Sequence, residues 1–213
     1  TFGIGDVLFS TPLIRNLHEN FPEAEIFYLC NKKTAPILKQ HLLLKKVFVY
    51  ERDDFVKAQK QSFWAWLKKF RVFIKEIRAE RIDMAIDLSL NTQYSFFAWL
   101  AGIKKRYGLD YKNRCWFLNK KIAIDGYNDK HVVDYYLDVL SLLNIKPKIH
   151  GLEIYADSSS KDWAEEFIKH NNISQNGCII GIAPCGGGAF GKDAYIKRWP
   201  ADKFRIYYMK RLK

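Results

Sequence analysis

Apolar and polar positions along this chain alternate with two different periods. Short apolar runs, "AEIFYLC" (24–30), "KKVFVYE" (45–51) and "DMAIDLSL" (83–90), read as buried β-strands. Between them apolar residues recur every three or four positions: Leu13, Ile14, Leu17 and Phe21 first, then Phe63, Leu67, Phe70, Ile74 and Ile77. A further helix is expected from near Thr92, closing with Leu100 and Ile103. "KHVVDYYLDVLSLLNI" (130–145) predicts an amphipathic helix. "SSSKDWAEEFIKHNNI" (158–173) predicts another, with serine caps, early acids and late bases. Strands alternating with helices predict an α/β fold, a Rossmann-like parallel sheet with helices on both faces.

The two ends of the chain extend this pattern. Gly3-Ile4-Gly5 reads as a tight turn leading into a helix. Such a turn follows a strand, so Thr1 and Phe2 are expected to be the tail of one whose beginning is absent. After the polar break "NNISQNG", the run "GCIIGIAP" (177–184) reads as a fresh strand. A Gly-rich loop, "CGGGAFGKDAYIKRWP", follows it, and Pro200 suits the first turn of a helix. One strand, loop and helix cannot bury a core of their own. The expectation is a fragment of a two-domain protein: residues 1–174 form an N-terminal Rossmann-like domain with an incomplete first strand, and residues 175–213 form the truncated start of a second Rossmann-like domain.

Charge narrows the partners. The net charge of +12 favours anions: nucleic acid, acidic lipid or phosphorylated substrates. Half of that surplus lies in residues 57–81, which carry eight bases and two acids. Helical spacing there puts Phe63, Trp66, Leu67, Phe70, Phe73, Ile74 and Ile77 on one side. Trp64 falls on the other, with Lys60, Lys68 and Arg71. This is either an interfacial helix for an anionic membrane surface or a core-packed helix with a solvated basic face. No RNA- or DNA-reading motif accompanies the charge. Cys30, Cys115, Cys178 and Cys185 have neither C-x-x-C spacing nor a neighbouring His, which argues against zinc and for reduced core thiols in a cytosolic protein. No apolar run reaches membrane-spanning length, and no signal peptide is visible.

Three places could carry chemistry. In a doubly wound sheet, ligands sit beyond the carboxyl ends of the strands. Asp6, just after the glycine turn, is either a helix cap or a general base held ionised by the helix dipole. The turn is no dinucleotide fingerprint, because position 8 is Leu8. The second place is the loop with Gly186, Gly187 and Gly188, which reads as a backbone nest for phosphate beside Lys192, Lys197 and Arg198, or as a connecting loop with solvated lysines. It is not a Walker A loop, since Asp193 stands where Ser or Thr is needed. The third, Asp87 at the end of a strand, either contacts substrate or caps the next turn. His131 and Asp134 read as serving the helix they begin, and His18 and His41 as surface residues.

Several of these segments together resemble one family. "GIGDVLFSTPLIRNLHENFPEAEIFYL", "IDMAIDLSLNTQYSFFAWLAGIKKRYGL", "HVVDYYLDVLSLLNI" and "IAPCGGG…KRWP" are similar, in this order, to segments of the ADP-heptose:lipopolysaccharide heptosyltransferases, glycosyltransferase family nine. The resemblance implies the GT-B fold, with two facing Rossmann-like domains. It implies inverting, metal-independent transfer with no cofactor, from an ADP-sugar donor to a lipid-linked saccharide acceptor of the lipopolysaccharide core. It maps the catalytic aspartate to Asp6 and the lysine before Trp-Pro to Lys197. Gly5, Asp6 and Asp87 then fall on the acceptor side, and Gly186, Gly187, Gly188 and Lys197 on the donor side. A cytoplasmic protein, peripheral on the inner face of the cytoplasmic membrane, is implied. The loop between Pro184 and Lys197 is long and Gly-rich, as in only some members, and "FRIYYMKRLK" departs from the family's continuation. Most of the donor domain is expected to be absent, and a complete donor pocket is therefore not expected within this chain. The rival readings are a basic α/β module for anions or nucleic acid, and a GT-B-type sugar-nucleotide epimerase.

Overall fold

The structure, a computed structural model, describes residues 3–174, 200 and 202–203. The chain separates into two compact units, Thr1–Ser158 and Ser159–Lys213. The domain division expected after residue 174 depends on residues 175–213, nearly all of which lie outside the described residues. In the first unit the order is α1 (Ile4–Phe9), α2 (Thr11–Asn20), β1 (Ile26–Cys30), α3 (Ala35–Leu38), β2 (Leu44–Val49), α4 (Arg52–Gln61) and α5 (Phe63–Ala79). Then come β3 (Met84–Asp87), α6 (Thr92–Leu100), β4 (Lys105–Tyr111), β5 (Lys120–Ile124), α7 (Val132–Asp138) and a 3₁₀ turn, Val139–Leu143. The second unit is described chiefly through α8, Ser158–His170.

Every strand pair is parallel, as alternation predicts. Among the described residues the strands form two sheets, β1-β2 and β3-β4-β5, rather than one. Helices cover both faces. Leu13 of α2 and Tyr135, Tyr136 and Leu137 of α7 pack with Leu88, Leu109 and Ile124 on one side. On the other, Phe73 and Ile77 of α5 and Phe97 of α6 pack with Phe48 of β2, and Phe27 and Ala85 join them. Parallel strands need this double cover, and their buried side chains supply much of the folding energy. Tyr50, Phe73 and Phe97 form an aromatic knot there, with ring centroids 4.9–5.6 Å apart.

Strands β4 and β5 were not legible as apolar runs. Each opens on two basic residues, Lys105-Arg106 and Lys120-Lys121. Strand β4 buries Leu109 fully in its second half, and β5 is apolar only over Ile122, Ala123 and Ile124. A loop without a helix joins them, with Lys112 and Asn113 at positive φ. Asp110 anchors that loop. Its Oδ1 accepts the Cys115 amide at 2.9 Å, and its Oδ2 meets Lys121 Nζ at 2.6 Å. Burial pushes the Asp110 carboxyl up, but Lys121 and the Cys115 amide outweigh that, leaving it below the usual carboxylate range.

Two predicted helices are revised. Residues 57–81 form no single helix. Ser62, at φ −168° and ψ 143°, interrupts it and accepts the Trp64 amide at 3.2 Å, so the hydroxyl caps a new helix. Phe55 of α4 then folds back onto Phe70 and Phe73 of α5. The helix expected over 130–145 tightens into the 3₁₀ turn and stops at Asn144 in the left-handed region (φ 58°).

Past that stop, residues 146–155 run as a strap across α2. Asn16 holds the strap through both amide atoms, donating to Lys148 O at 2.9 Å and accepting from Lys148 N at 2.8 Å. Arg15 forks onto Glu153 at 2.7 and 2.9 Å, and Tyr155 donates to the same carboxylate at 2.7 Å. The strap also covers His41, whose ring meets Tyr155 edge-on at 5.2 Å. His41 is therefore buried, at 4% exposure, and not a surface residue as expected. Burial lowers its pKa against the opposing pull of Glu153.

Strands β3 and β4 approach closely where Asp87 pairs with Gly108. A Cβ on Gly108 would stand 2.1 Å from the Asp87 carbonyl oxygen, so a side chain there must force the two strands apart. Gly108→Ala should lower stability by roughly 1–3 kcal/mol or more. Gly102→Ala meets open space at φ +85°, and should cost only about 1–2 kcal/mol of left-handed strain. Urea midpoints compare the two. Equal losses would mean that β3 and β4 separate freely at this pair.

Candidate active site

Asp6 stands in the first turn of α1. Gly3 is the N-cap, and its amide donates to Asp6 Oδ2 at 2.7 Å, the return bond of a capping box. The cap reading of Asp6 therefore holds. Gly5 lies inside α1 rather than in the turn before it, and is exposed. A Cβ there would make only an ordinary contact, 3.8 Å from the Phe9 ring, so space does not require glycine at this position.

The same carboxylate opens into a pocket of about 250 Å³. Leu88, Ser89, Leu90 and Asn91, which follow β3, form one wall, and Tyr127 and Tyr136 the other. Asp6 thus sits beyond the carboxyl end of a parallel strand, where doubly wound sheets hold ligands. Hydrogen bonds hold the 88–91 wall. Ser89 N donates to Asp87 Oδ1 at 2.8 Å, Ser89 Oγ donates to Asn91 O at 2.9 Å, and Asn91 Oδ1 caps α6 through the Gln93 amide at 3.2 Å. Tyr136 is 1% exposed and Tyr127 half-buried; burial raises both phenols above their ordinary range, keeping them neutral hydrogen-bonding groups. Neither tyrosine stood out from the sequence, because "DGYNDKHVVDYY" carries no motif that marks them.

Of the two expectations for Asp87, the structure shows the turn cap. It does not line the Asp6 pocket; it supports its floor by capping the turn through Ser89. Its Oδ2 is buried without a hydrogen-bond partner of normal geometry. Burial pushes its carboxyl up to about 6, against bonds from Ser89 and Ser95 that pull it down. His131 serves its helix, as expected: Nδ1 accepts the Val133 amide at 3.2 Å, and the ring meets Phe9 edge-on at 4.9 Å.

Lys60, Trp64, Lys68 and Arg71 all lie on the exposed side of the α4–α5 pair, away from the Asp6 pocket's lining. Phe63 and Trp64 are 61% and 75% exposed at the tip between the helices. Gly186, Gly187, Gly188 and Lys197 lie outside the described residues. Among the described residues no group of three or more His, Cys, Asp or Glu could hold a metal ion, and Cys30 and Cys115 are buried free thiols.

The family profile of glycosyltransferase family 9 (heptosyltransferase) matches residues 70–207. Over 182 residues the chain is 25% identical to lipopolysaccharide heptosyltransferase 3 of Escherichia coli, covering 83% of this chain and 51% of that protein. The chain thus spans about half the length of that curated relative. The crystal structure of a family 9 glycosyltransferase from Veillonella parvula DSM 2008 superposes with a TM-score of 0.78 at 23% identity, over 99% of this chain and 58% of that one. E. coli ADP-heptose lipopolysaccharide heptosyltransferase II gives 0.70 at 18% identity, over 98% and 58%. E. coli heptosyltransferase WaaC with ADP-2-deoxy-2-fluoro heptose gives 0.61 at 17%, over 72% and 49%. These likenesses carry the GT-B fold. The chain belongs to glycosyltransferase family 9, the heptosyltransferase family.

Proposed function

We propose that this chain forms the acceptor-binding part of an enzyme that transfers heptose, or a related sugar, from an ADP-sugar to a lipopolysaccharide core acceptor with inversion. The observation that carries this reading is the position of Asp6, in a pocket at the carboxyl end of β3 and flanked by two neutral tyrosines. The relatives' names supply the substrate class: one is a lipopolysaccharide heptosyltransferase, and another was solved with an ADP-heptose analogue. Family membership does not favour the nucleic-acid module or the epimerase.

In the proposed reaction the acceptor hydroxyl gives its proton to Asp6 as its oxygen attacks the anomeric carbon. The diphosphate leaves from the opposite face, and Lys197 with the amides near Gly186, Gly187 and Gly188 offsets its growing charge. No metal or cofactor takes part in this scheme. Asp6→Asn removes the base but little volume. The capping bond survives it, because the amide oxygen still accepts from Gly3. Transfer should fall by about 10²–10⁴-fold with acceptor affinity little changed. Turnover is measured in the chain itself, or in the chain joined to the length its relatives have beyond it. Near-wild-type turnover by the Asn variant would reduce Asp6 to a cap.

We place the enzyme at the cytoplasmic side of the membrane, docked through the α4–α5 pair. Among the described residues no helix is long and apolar enough to cross a membrane. The pair instead offers exposed Phe63 and Trp64 beside exposed Lys60, Lys68 and Arg71. Each base near an anionic surface contributes about 1 kcal/mol, and salt weakens the attraction. Reversing Lys60, Lys68 and Arg71 to Glu should release the chain from phosphatidylserine-containing vesicles at low salt. Trp64→Ala should weaken the residual binding at high salt. Sedimentation with neutral and anionic vesicles reads both effects. Equal binding to the two vesicle types would leave the pair as packed helices with a solvated basic face.

A further inference from the structure

The Asp6 pocket holds a hydrogen-bond acceptor and a donor that the fold leaves largely uncommitted. Asp6 Oδ2 accepts the Gly3 amide at 2.7 Å, which leaves Oδ1 for another partner. In the same pocket the Tyr127 hydroxyl donates to Leu88 O at 3.5 Å, the outer limit for such a bond. Tyr136 stands beside it, with ring centroids 6.1 Å apart, and its hydroxyl acts as donor toward the Tyr127 oxygen. Tyr127 thus accepts from Tyr136 and keeps its own proton for a partner better placed than Leu88. Burial keeps both phenols protonated, and the Asp6 charge adds to it.

Size and charge restrict what can use this pair. At about 250 Å³ the pocket is smaller than the roughly 300–1,000 Å³ of drug-sized sites, which suits a single ring. Among the described residues no base lines it, so an anionic group would meet the Asp6 carboxylate with nothing to offset the repulsion. The occupant is therefore neutral where it enters. It has to donate to Asp6 Oδ1 and accept from Tyr127. Adjacent hydroxyls on a saccharide ring do both, because each carries one proton and two lone pairs.

We infer that Tyr127 is a specificity-determining residue of the acceptor site, its hydroxyl donating to the acceptor oxygen next to the hydroxyl that Asp6 grips. The inference rests on the transfer reaction proposed above and adds to it the orientation of the acceptor ring. Two adjacent oxygens held at two points select which hydroxyl of the ring reaches Asp6. The anionic groups of the acceptor stay outside this pocket. Little is lost when Tyr127 turns from Leu88 O, since that bond is long. Tyr136 acts through Tyr127 as a positioning residue: its donation polarises the Tyr127 hydroxyl and strengthens the bond made to the acceptor.

The test uses the proteins in which Asp6→Asn is measured, with ADP-heptose as donor and de-O-acylated core lipopolysaccharide as acceptor. Tyr127→Phe removes one hydroxyl and keeps the ring against Tyr135 and Tyr136. Acceptor KM should rise about tenfold, with kcat and the KM for ADP-heptose little changed. Tyr136→Phe should move acceptor KM the same way, by less. Tyr135→Phe is the control, because its hydroxyl bonds Asp129 and does not line the pocket. Titration calorimetry with the same saccharide and no donor repeats the comparison without turnover, and thermal midpoints show that each variant folds. A deoxy acceptor lacking the hydroxyl beside the reactive one should bind wild type about tenfold more weakly, and that penalty should vanish in Tyr127→Phe. Unchanged acceptor KM and affinity in a folded Tyr127→Phe overturn the inference. So does an equal rise in Tyr135→Phe, or a deoxy penalty that persists in Tyr127→Phe. The base reading of Asp6 fails separately, on normal turnover by Asp6→Asn, whichever way Tyr127→Phe behaves.

Discussion

The contact between Asp87 and Gly108 sets the geometry of the first unit. At this pair β3 and β4 approach so closely that no side chain fits on the β4 side. Strand β3 therefore ends at a fixed depth in the sheet, and the turn that follows is tied down by the Asp87 carboxylate through Ser89. Asn91 at once caps α6, so four residues carry the chain from a buried strand to a helix. These four make one wall of the Asp6 pocket. Asp87 contributes through this architecture, and its buried carboxyl bears a solvation cost that an apolar residue would not.

Much of this was legible in the sequence. The runs at 24–30 and 45–51 gave β1 and β2, since parallel strands covered on both faces leave nearly continuous apolar stretches. The helix begun near Thr92 was readable from its spacing. Strands β4 and β5 were not, because their first residues are Lys and Arg on the exposed start of the strand. The break at Ser62 was hidden because residues 57–62, Lys-Ala-Gln-Lys-Gln-Ser, carry almost no apolar period for a break to interrupt. One serine hydroxyl bonded to the Trp64 amide ends one helix and opens the next, and such a local competition leaves no mark on an eleven-residue window.

The site was legible in part, for a related reason. Asp6 declared itself by standing after two glycines, and it is both cap and pocket residue. Tyr127 and Tyr136 come from the far side of the sheet order, about 120 and 130 residues later, and no local pattern links them to Asp6. His41 was misplaced because its burial depends on Tyr155 and Glu153, which reach it from a strap more than a hundred residues away. Local periodicity reports which face of an element is covered. It does not report what covers it.

The capping bond gives Asp6 a direction. Its Oδ2 is occupied by the Gly3 amide, and among the described residues Oδ1 is the oxygen left for another partner. That bond restricts the carboxylate's rotation and distinguishes its two oxygens. In the proposed reaction a hydroxyl entering the pocket therefore meets Oδ1, the oxygen that the cap leaves open. The side from which such a proton would be taken is then set by a helix cap.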